Sequence, residues 1–391
     1  MMTGKERVMR AMRHEPTDRV PVFCQLAIGH YMLNTNWSPV EIWYSSEALS
    51  SAYVELAKRY SFDGILVNLP GRPSNWRAHI AGTSTSEGSL RLDWDTGGYS
   101  IVQRGDNVHY FGKPQPSLEE IDPGKLFYIE PENITGIKYP FFYDFGEYVP
   151  SSDRNSLFPP YLLETLRLTL EKAGEDIHVS SEVFSPFTQF MELLGYSEAL
   201  MALVDDSKKC LRILDSLADG AAALAKMQIE AGTDAVLVSS AFAGGGFISP
   251  DYYRRFVLPF EKRVVDMVHA NSDVPIYVHT CGKIADRIDF IRSAGYDGID
   301  TMDPPPIGNC DIFLIKEEFG KDLFLKGNID PINIVLNGSP DSVYEQSVRL
   351  IERLGHRSGY ILSTACSVPP GASPKNIVVM SKASFDVGMV Y

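Results

Sequence analysis

Only five cysteines are spread over 391 residues, an odd set at Cys24, Cys210, Cys281, Cys310 and Cys366. They are too sparse for a disulfide framework and suit a reducing cytoplasm. Long apolar runs are missing too. None approaches the roughly 18 residues of a membrane span, and Met1 to Glu15 reads as a charged amphipathic helix without a signal-peptide core. Positive charge is in deficit, with 36 Lys and Arg against 50 Asp and Glu for a net charge of −14. That balance argues against a nucleic-acid partner. No Gly-x-Gly-x-x-Gly opens a helix after a strand; Gly244-Gly245-Gly246 reads as a loop, so nucleotide binding is not supported. These absences leave a cytoplasmic globular protein. Its 44% hydrophobic content is ample for one large core, and α/β barrels often reach this length as a single domain.

Eight short apolar or β-branched runs recur: 20–27, 63–69, 177–184, 233–240, 274–280, 296–302, 323–329 and 360–365. Most are followed by a helix-like segment, the pattern of parallel βαβ units. Eight of them match a closed (β/α)₈ barrel, an α/β fold of one domain over 1–391. Ser38-Pro39-Val40-Glu41 combines an N-cap serine, proline at the first helical position and a capping-box glutamate. Ser-Pro also precedes helical patterns at Ser249, Ser339 and Ser373, while Gly295 and Gly320 sit at helix stops. The stretch Phe187–Gly232 is too long for one helix and holds two or three. Residues 71–156 break the rhythm. Arg91–Trp94 and Tyr99–Arg104 flank Asp95-Thr96-Gly97-Gly98 as a β-hairpin. Phe127, Tyr128, Tyr139, Phe141, Phe142, Tyr143, Phe145 and Tyr148 then form an aromatic cluster. An insertion after the second strand lies at the barrel mouth, so it reads either as a cap over the site or as an aromatic mini-core on the barrel wall.

The chemistry gathers at two strand ends. In Ile276-Tyr277-Val278-His279-Thr280-Cys281-Gly282, His279 and Cys281 share a face because strand side chains alternate. Cys366, just past the eighth run, supplies a third soft ligand. Imidazole and two thiolates suit Zn²⁺, and three protein ligands leave a position for substrate. Glu182, near the end of the third run, is a possible fourth ligand or a hydrogen-bonding neighbour; a carboxylate there is not expected to be buried unpaired. Cys24, Cys210 and Cys310 read as packing thiols. Asn68, Asn328 and Asp330 are substrate-binding candidates, with Asp300 and Asp303 at the same rim. Asp303-Pro304 and Asp330-Pro331 also read simply as turn or helix starts.

These residues resemble the uroporphyrinogen decarboxylase superfamily, and within it the zinc-dependent corrinoid methyltransferases. Gly4-Lys5-Glu6-Arg7-Val8 through Asp18-Arg19-Val20-Pro21-Val22 is similar to the N-terminal entry of those methyltransferases. Lys326-Gly327-Asn328-Ile329-Asp330-Pro331 is similar to a superfamily signature after the seventh strand. His279-Thr280-Cys281-Gly282 with distant Cys366 matches the His-x-Cys…Cys zinc pattern of the methyltransferases. The decarboxylases differ: their Arg-Gln-Ala-Gly-Arg run is here Gln25-Leu26-Ala27-Ile28-Gly29-His30, and their acidic residue after the second strand is replaced within Val67-Asn68-Leu69-Pro70. Without guanidinium partners an anionic tetrapyrrole is poorly matched.

The resemblance implies methyl transfer through a corrinoid. In one direction, preferred here because aromatic packing at the mouth suits a methoxylated ring, an O-methyl or S-methyl substrate gives its methyl to Co(I). In the other, a thiol of coenzyme M type, or tetrahydrofolate, accepts it from methylcobalamin. Uroporphyrinogen decarboxylation and a non-catalytic zinc-binding barrel are the rival readings. The Asp-x-His-x-x-Gly motif of cobalamin domains is absent from all eight histidines. The corrinoid therefore belongs to a partner protein.

Overall fold

Seven of the eight β-branched runs extend into strands of one parallel sheet. The computed structural model describes residues 2–95, 97–112, 115–130, 158–356 and 358–388. Main-sheet strand β1 is Gly64–Val67, and after an excursion with four strands of its own the remaining strands are β6 (His178–Phe184), β7 (Ala235–Ser239), β8 (Ile276–Thr280), β9 (Gly298–Thr301), β10 (Phe324–Ile329) and β11 (Tyr360–Thr364). They pair in chain order, β1-β6-β7-β8-β9-β10-β11, and helices connect successive strands. The result is a curled, TIM-barrel-like α/β fold. Every residue of β1, β7, β8, β9, β10 and β11 is buried, as expected for strands covered on both faces.

The eighth run, 20–27, does not become a regular strand. Pro21 has no N–H to give a ladder. The segment instead joins β11 by a parallel bridge, Val22 to Leu362, and the chain just after β11 by a second, Leu26 to Val368. On its other side the Val22 carbonyl accepts from the Asp63 amide at 2.7 Å, just ahead of β1. A buried ion cluster secures that seam. Asp63 accepts from Arg7 (2.6 Å), from both terminal nitrogens of Arg19 (2.8 Å each) and from the Val22 amide (2.8 Å).

Two packing layers follow. Phe23, Leu66, Leu237, Tyr277, Phe324 and Ile361 form an inner cluster with Val8, Ala11 and Met12 of the first helix, Gly4–Met12. A Cβ on Gly4 would meet the carbonyls of Asp63 and Asp176, which precede β1 and β6. The first helix therefore plugs the N-terminal end of the sheet and leaves the other end for chemistry. The larger outer cluster lies between sheet and helices. The anticipated helix starts are present: Ser38 and Glu41 form a capping box, and Ser249, Ser339 and Ser373 each accept from a first-turn amide. The stretch from 187 to 232 resolves into three helices, Pro186–Leu194, Tyr196–Asp205 and Ser207–Glu230.

Between β1 and β6 the described residues form an antiparallel sheet of β2 (Ile80–Ser86), β3 (Ser89–Trp94), β4 (Tyr99–Val102) and β5 (His109–Phe111). The anticipated hairpin is the β3–β4 pair. Trp76 and Trp94 anchor this sheet on Tyr44, with ring centroids 5.5 and 5.2 Å apart. Of the aromatic cluster, Phe127 and Tyr128 pack on Phe158. Tyr139, Phe141, Phe142, Tyr143, Phe145 and Tyr148 lie outside the described residues.

Candidate metal centre

β8 runs Ile276–Thr280 and turns sharply at Gly282, whose φ of +79° suits glycine. The Gly282 amide donates to the Asp303 carboxylate at 2.7 Å. The loop after β7 presses on the same turn. A Cβ on Gly244 would lie 2.2 Å from the Cys281 carbonyl, and the Gly245 amide donates to the Lys283 carbonyl at 2.7 Å. From β11, the Ala365 amide donates to Ile329 and the Val368 amide to Gln25, both at 2.8 Å, so the Cys366 turn is held on either side.

These two turns bring His279, Cys281 and Cys366 together, with one ligand atom from each lying within 4.8 Å of the others. Cys281 Sγ is 3.3 Å from His279 Nε2. Tetrahedral zinc with its usual bond lengths separates such a sulfur and nitrogen by about 3.6 Å, and two sulfurs by about 3.8 Å. The residues fit the ion. Glu182 does not join the group, and among the described residues no fourth His, Cys, Asp or Glu does. Cys24 and Cys210 are buried away from it, as packing thiols should be.

Charge at the site is arranged around shared protons. Burial opposes a charged His279, but hydrogen bonds to Asp300 and Cys366 and their negative charge outweigh it and push the imidazole up to about 10. The hydrogen bond from Cys281, with further help from His279, draws the Cys366 thiol well below its ordinary value; the same bond and burial push Cys281 up. Metal ligation needs neutral imidazole and thiolate, so binding here would release the protons these three groups hold. Behind the ring, His279 Nδ1 lies 3.5 Å from Asp300 Oδ2, which also accepts from Lys326 Nζ at 2.9 Å.

The other candidates are scattered along the rim. Glu182 is pushed up to about 7 by burial, against a Ser239 hydrogen bond and the attraction of His279. It lines a small cavity of about 30 Å³ with Asn68, Tyr128, Glu130 and Gln228, and Asn68 there accepts from the Tyr53 hydroxyl at 2.7 Å. Burial pushes Glu130 up to about 8. Asn328 donates to the Met302 carbonyl at 2.8 Å. Asp330 caps the turn Pro331–Leu336 by accepting from the Ile332 and Asn333 amides. Asn328 and Asp330 line a crevice of about 700 Å³ with Pro304, Asn309 and Asn333. Sequence reasoning missed Lys326 as a neighbour of the site, although an ionisable residue inside the apolar run Phe324–Ile329 was its signal. Glu130 gave none, sitting in irregular chain.

The model of the family uroporphyrinogen decarboxylase (URO-D) matches residues 130–385. The curated methylcobamide:CoM methyltransferase MtbA of Methanosarcina acetivorans is 25% identical, covering 97% of this chain and 98% of that protein. The uroporphyrinogen decarboxylase of Myxococcus xanthus is 24% identical over 94% and 92%. A solved methyltransferase from Methanosarcina mazei superposes with a TM-score of 0.71 at 17% identity, covering 99% of each chain, which is a likeness of fold.

Proposed function

The chain belongs to the uroporphyrinogen decarboxylase family, and we propose that within it the protein is a corrinoid-dependent methyltransferase whose metal site is His279, Cys281 and Cys366. The observation that carries this reading is the convergence of those three side chains from two strand ends. Three protein ligands leave a coordination position that a structural zinc site lacks. His279, Cys281 and Cys366 would hold a zinc ion, which would supply Lewis acidity toward the oxygen or sulfur of a methylated substrate.

The protein's own part is to present the ligands and to enclose the substrate. Residues 20–27 act as the stave that completes the barrel between β11 and β1. Tyr128 and Glu130 share the cavity of Glu182 and Asn68, which supports an excursion lying over the mouth. The substrate in the leading reading is a small O-methyl compound, with a methoxylated aromatic as the first choice, or an S-methyl compound. Its methyl passes to Co(I) carried by a separate corrinoid protein. The full-length likeness to a methylcobamide:CoM methyltransferase favours a second reading, in which a thiol is the acceptor and the methyl arrives from the corrinoid. Decarboxylation of a tetrapyrrole is disfavoured. Where the decarboxylases place arginines, His30 is fully buried, bonded to the Pro370 carbonyl at 3.0 Å and the Tyr60 hydroxyl at 2.9 Å.

The test is reconstitution of the zinc-loaded protein with a corrinoid protein. One arm offers Co(I) with methoxylated aromatics, methanol and methyl thioethers; the other offers methyl-Co(III) with small thiols and tetrahydrofolate. The corrinoid spectrum reports methylcobalt formation or loss. Turnover in the first arm supports the leading direction, and turnover in the second alone reverses it. Silence in both, or carbon dioxide release from uroporphyrinogen, refutes the proposal.

A further inference from the structure

Lys326 stands where an aliphatic side chain would be cheaper. It lies in the fully buried strand β10, is 1% exposed, and reaches across the inner core with Nζ 4.6 Å from the centre of the Phe23 ring. Its ion-pair partner among the described residues is Asp300, at 2.9 Å, itself 2% exposed. Buried pairs of this kind seldom stabilise a fold relative to well-packed apolar residues of the same volume, because desolvating two charges offsets their attraction. Retaining this one calls for another use, and its position supplies it. Asp300 Oδ1 accepts from the Thr301 amide at 2.9 Å, which fixes the carboxylate, while Oδ2 faces both Lys326 and His279 Nδ1. The 3.5 Å separation from the ring is at the outer reach of a hydrogen bond, yet a full charge at that range acts strongly on a buried imidazole.

We infer that Asp300 and Lys326 are positioning residues for the metal centre: the carboxylate turns His279 so that Nε2 faces the two sulfurs, and the ammonium keeps the buried assembly neutral. The second role follows from charge. With a divalent ion bound, two thiolates balance the metal, and Asp300 would leave a net negative charge inside the protein were Lys326 not beside it. The first role sets which ring nitrogen is the ligand. A carboxylate behind a ligating histidine fixes its tautomer and strengthens its donor nitrogen, and loss of such a partner typically costs 10–100-fold in metal affinity. This inference rests on His279 being a ligand, and not on the direction or the substrate of methyl transfer.

The experiment is zinc affinity by chelator competition on wild type, D300N, D300E, K326M, the double variant D300N/K326M and H279A, with thermal unfolding of each metal-free protein. The double variant removes the ion pair without orphaning a charge, so it should keep its melting temperature within a few degrees yet bind zinc about 10–100-fold more weakly. D300E should recover part of the loss seen in D300N. A folded double variant with affinity within twofold of wild type overturns the inference. If H279A then still loses zinc, the ligand set survives that outcome; if H279A also binds normally, the metal site falls with it. Should the Asp300 variants fail to fold, the wild type decides. In cadmium-loaded, ¹⁵N-histidine-labelled protein, His279 should couple to the metal through Nε2 and carry its proton on Nδ1, and coupling through Nδ1 would refute the assignment.

Discussion

Replacing Asp63 by alanine should be among the most destabilising single changes in this protein. Asp63 takes two arginines into a seam where Arg7 and Arg19 are 3% and 7% exposed. Removing the carboxylate leaves Arg19 without its ion-pair partner, Arg7 with Asp18 alone, and the Val22 amide without its 2.8 Å acceptor. Orphaning one partner of a buried ion pair costs about 3–5 kcal/mol. With unfolding entropy of about 2.1 cal/mol/K per residue, a chain of this size loses about 5 °C for a change of about 4 kcal/mol. The damage should be local as well as global, because the seam holds residues 20–27 against the start of β1, and a stave freed on that side also loosens on β11. Calorimetry should show the fall in melting temperature. Hydrogen exchange should quicken at the amides of Phe23, Leu362 and Val368, which bond across that stave. In an R7M/R19M background the same alanine substitution should cost much less, since the ion pairs of Asp63 are already gone. A shift below 1 °C in the otherwise native sequence, or an equal loss in both backgrounds, would show that the cluster is not what ties the first stave to the barrel.

C281A and C366A should each reduce bound zinc from about one equivalent to near none by metal analysis while far-UV circular dichroism stays native; stoichiometric metal in either rejects that ligand. E182Q should retain zinc at the wild-type level, because Glu182 lies outside the three-residue group; a marked loss would restore it as a ligand. G244A forces a methyl group against the Cys281 carbonyl, 2.2 Å from the built Cβ, so it should lower stability by about 1–3 kcal/mol and weaken zinc binding in titrations. E130Q tests the buried carboxyl beside Tyr128. Burial lifts Glu130 from 4.5 to about 8, so between those values the unfolded chain has released a proton that the folded one keeps, and stability falls as pH rises. Glutamine cannot ionise. The melting temperature of E130Q should therefore gain on wild type from pH 5 to pH 9, and a constant difference would refute the burial.

Sequence periodicity was most informative where each element's need coincides with its local pattern. A strand covered on both faces must be apolar throughout, so β7, β8 and β11 announced themselves. Ser-Pro before an amphipathic run satisfies orphan amides and presets φ, so four helix starts were legible to the residue. The first stave was harder. Pro21 and the long-range claim of Asp63 on the Val22 amide make it irregular, and neither the arginine pairing nor the bridges to Leu362 and Val368 follow from spacing. The same distinction holds at the site. His279 and Cys281 could be placed on one face by strand alternation, and Cys366 by its position after the last strand. Glu182 could not be resolved that way, because a strand end specifies a rim but not the distance across it.

Asp300 and Lys326 mark where a local reading gives out. Asp300 reads from sequence only as a polar residue at the rim, and its Oδ1 takes the next amide; the lateral register of β9 and β10, which sets Lys326 opposite Asp300, turns its other oxygen into a bridge to the imidazole. The pairing of β8 with β9 sets His279 opposite the same residue. One aspartate thus sits level with a histidine on one neighbouring strand and a lysine on the other. That alignment is a property of the sheet as a whole, since a shift of one residue in either pairing would send the side chain to the opposite face. The proposed metal centre would therefore depend on sheet register as much as on its ligands, and variants that disturb β9 should weaken zinc binding without touching a ligand.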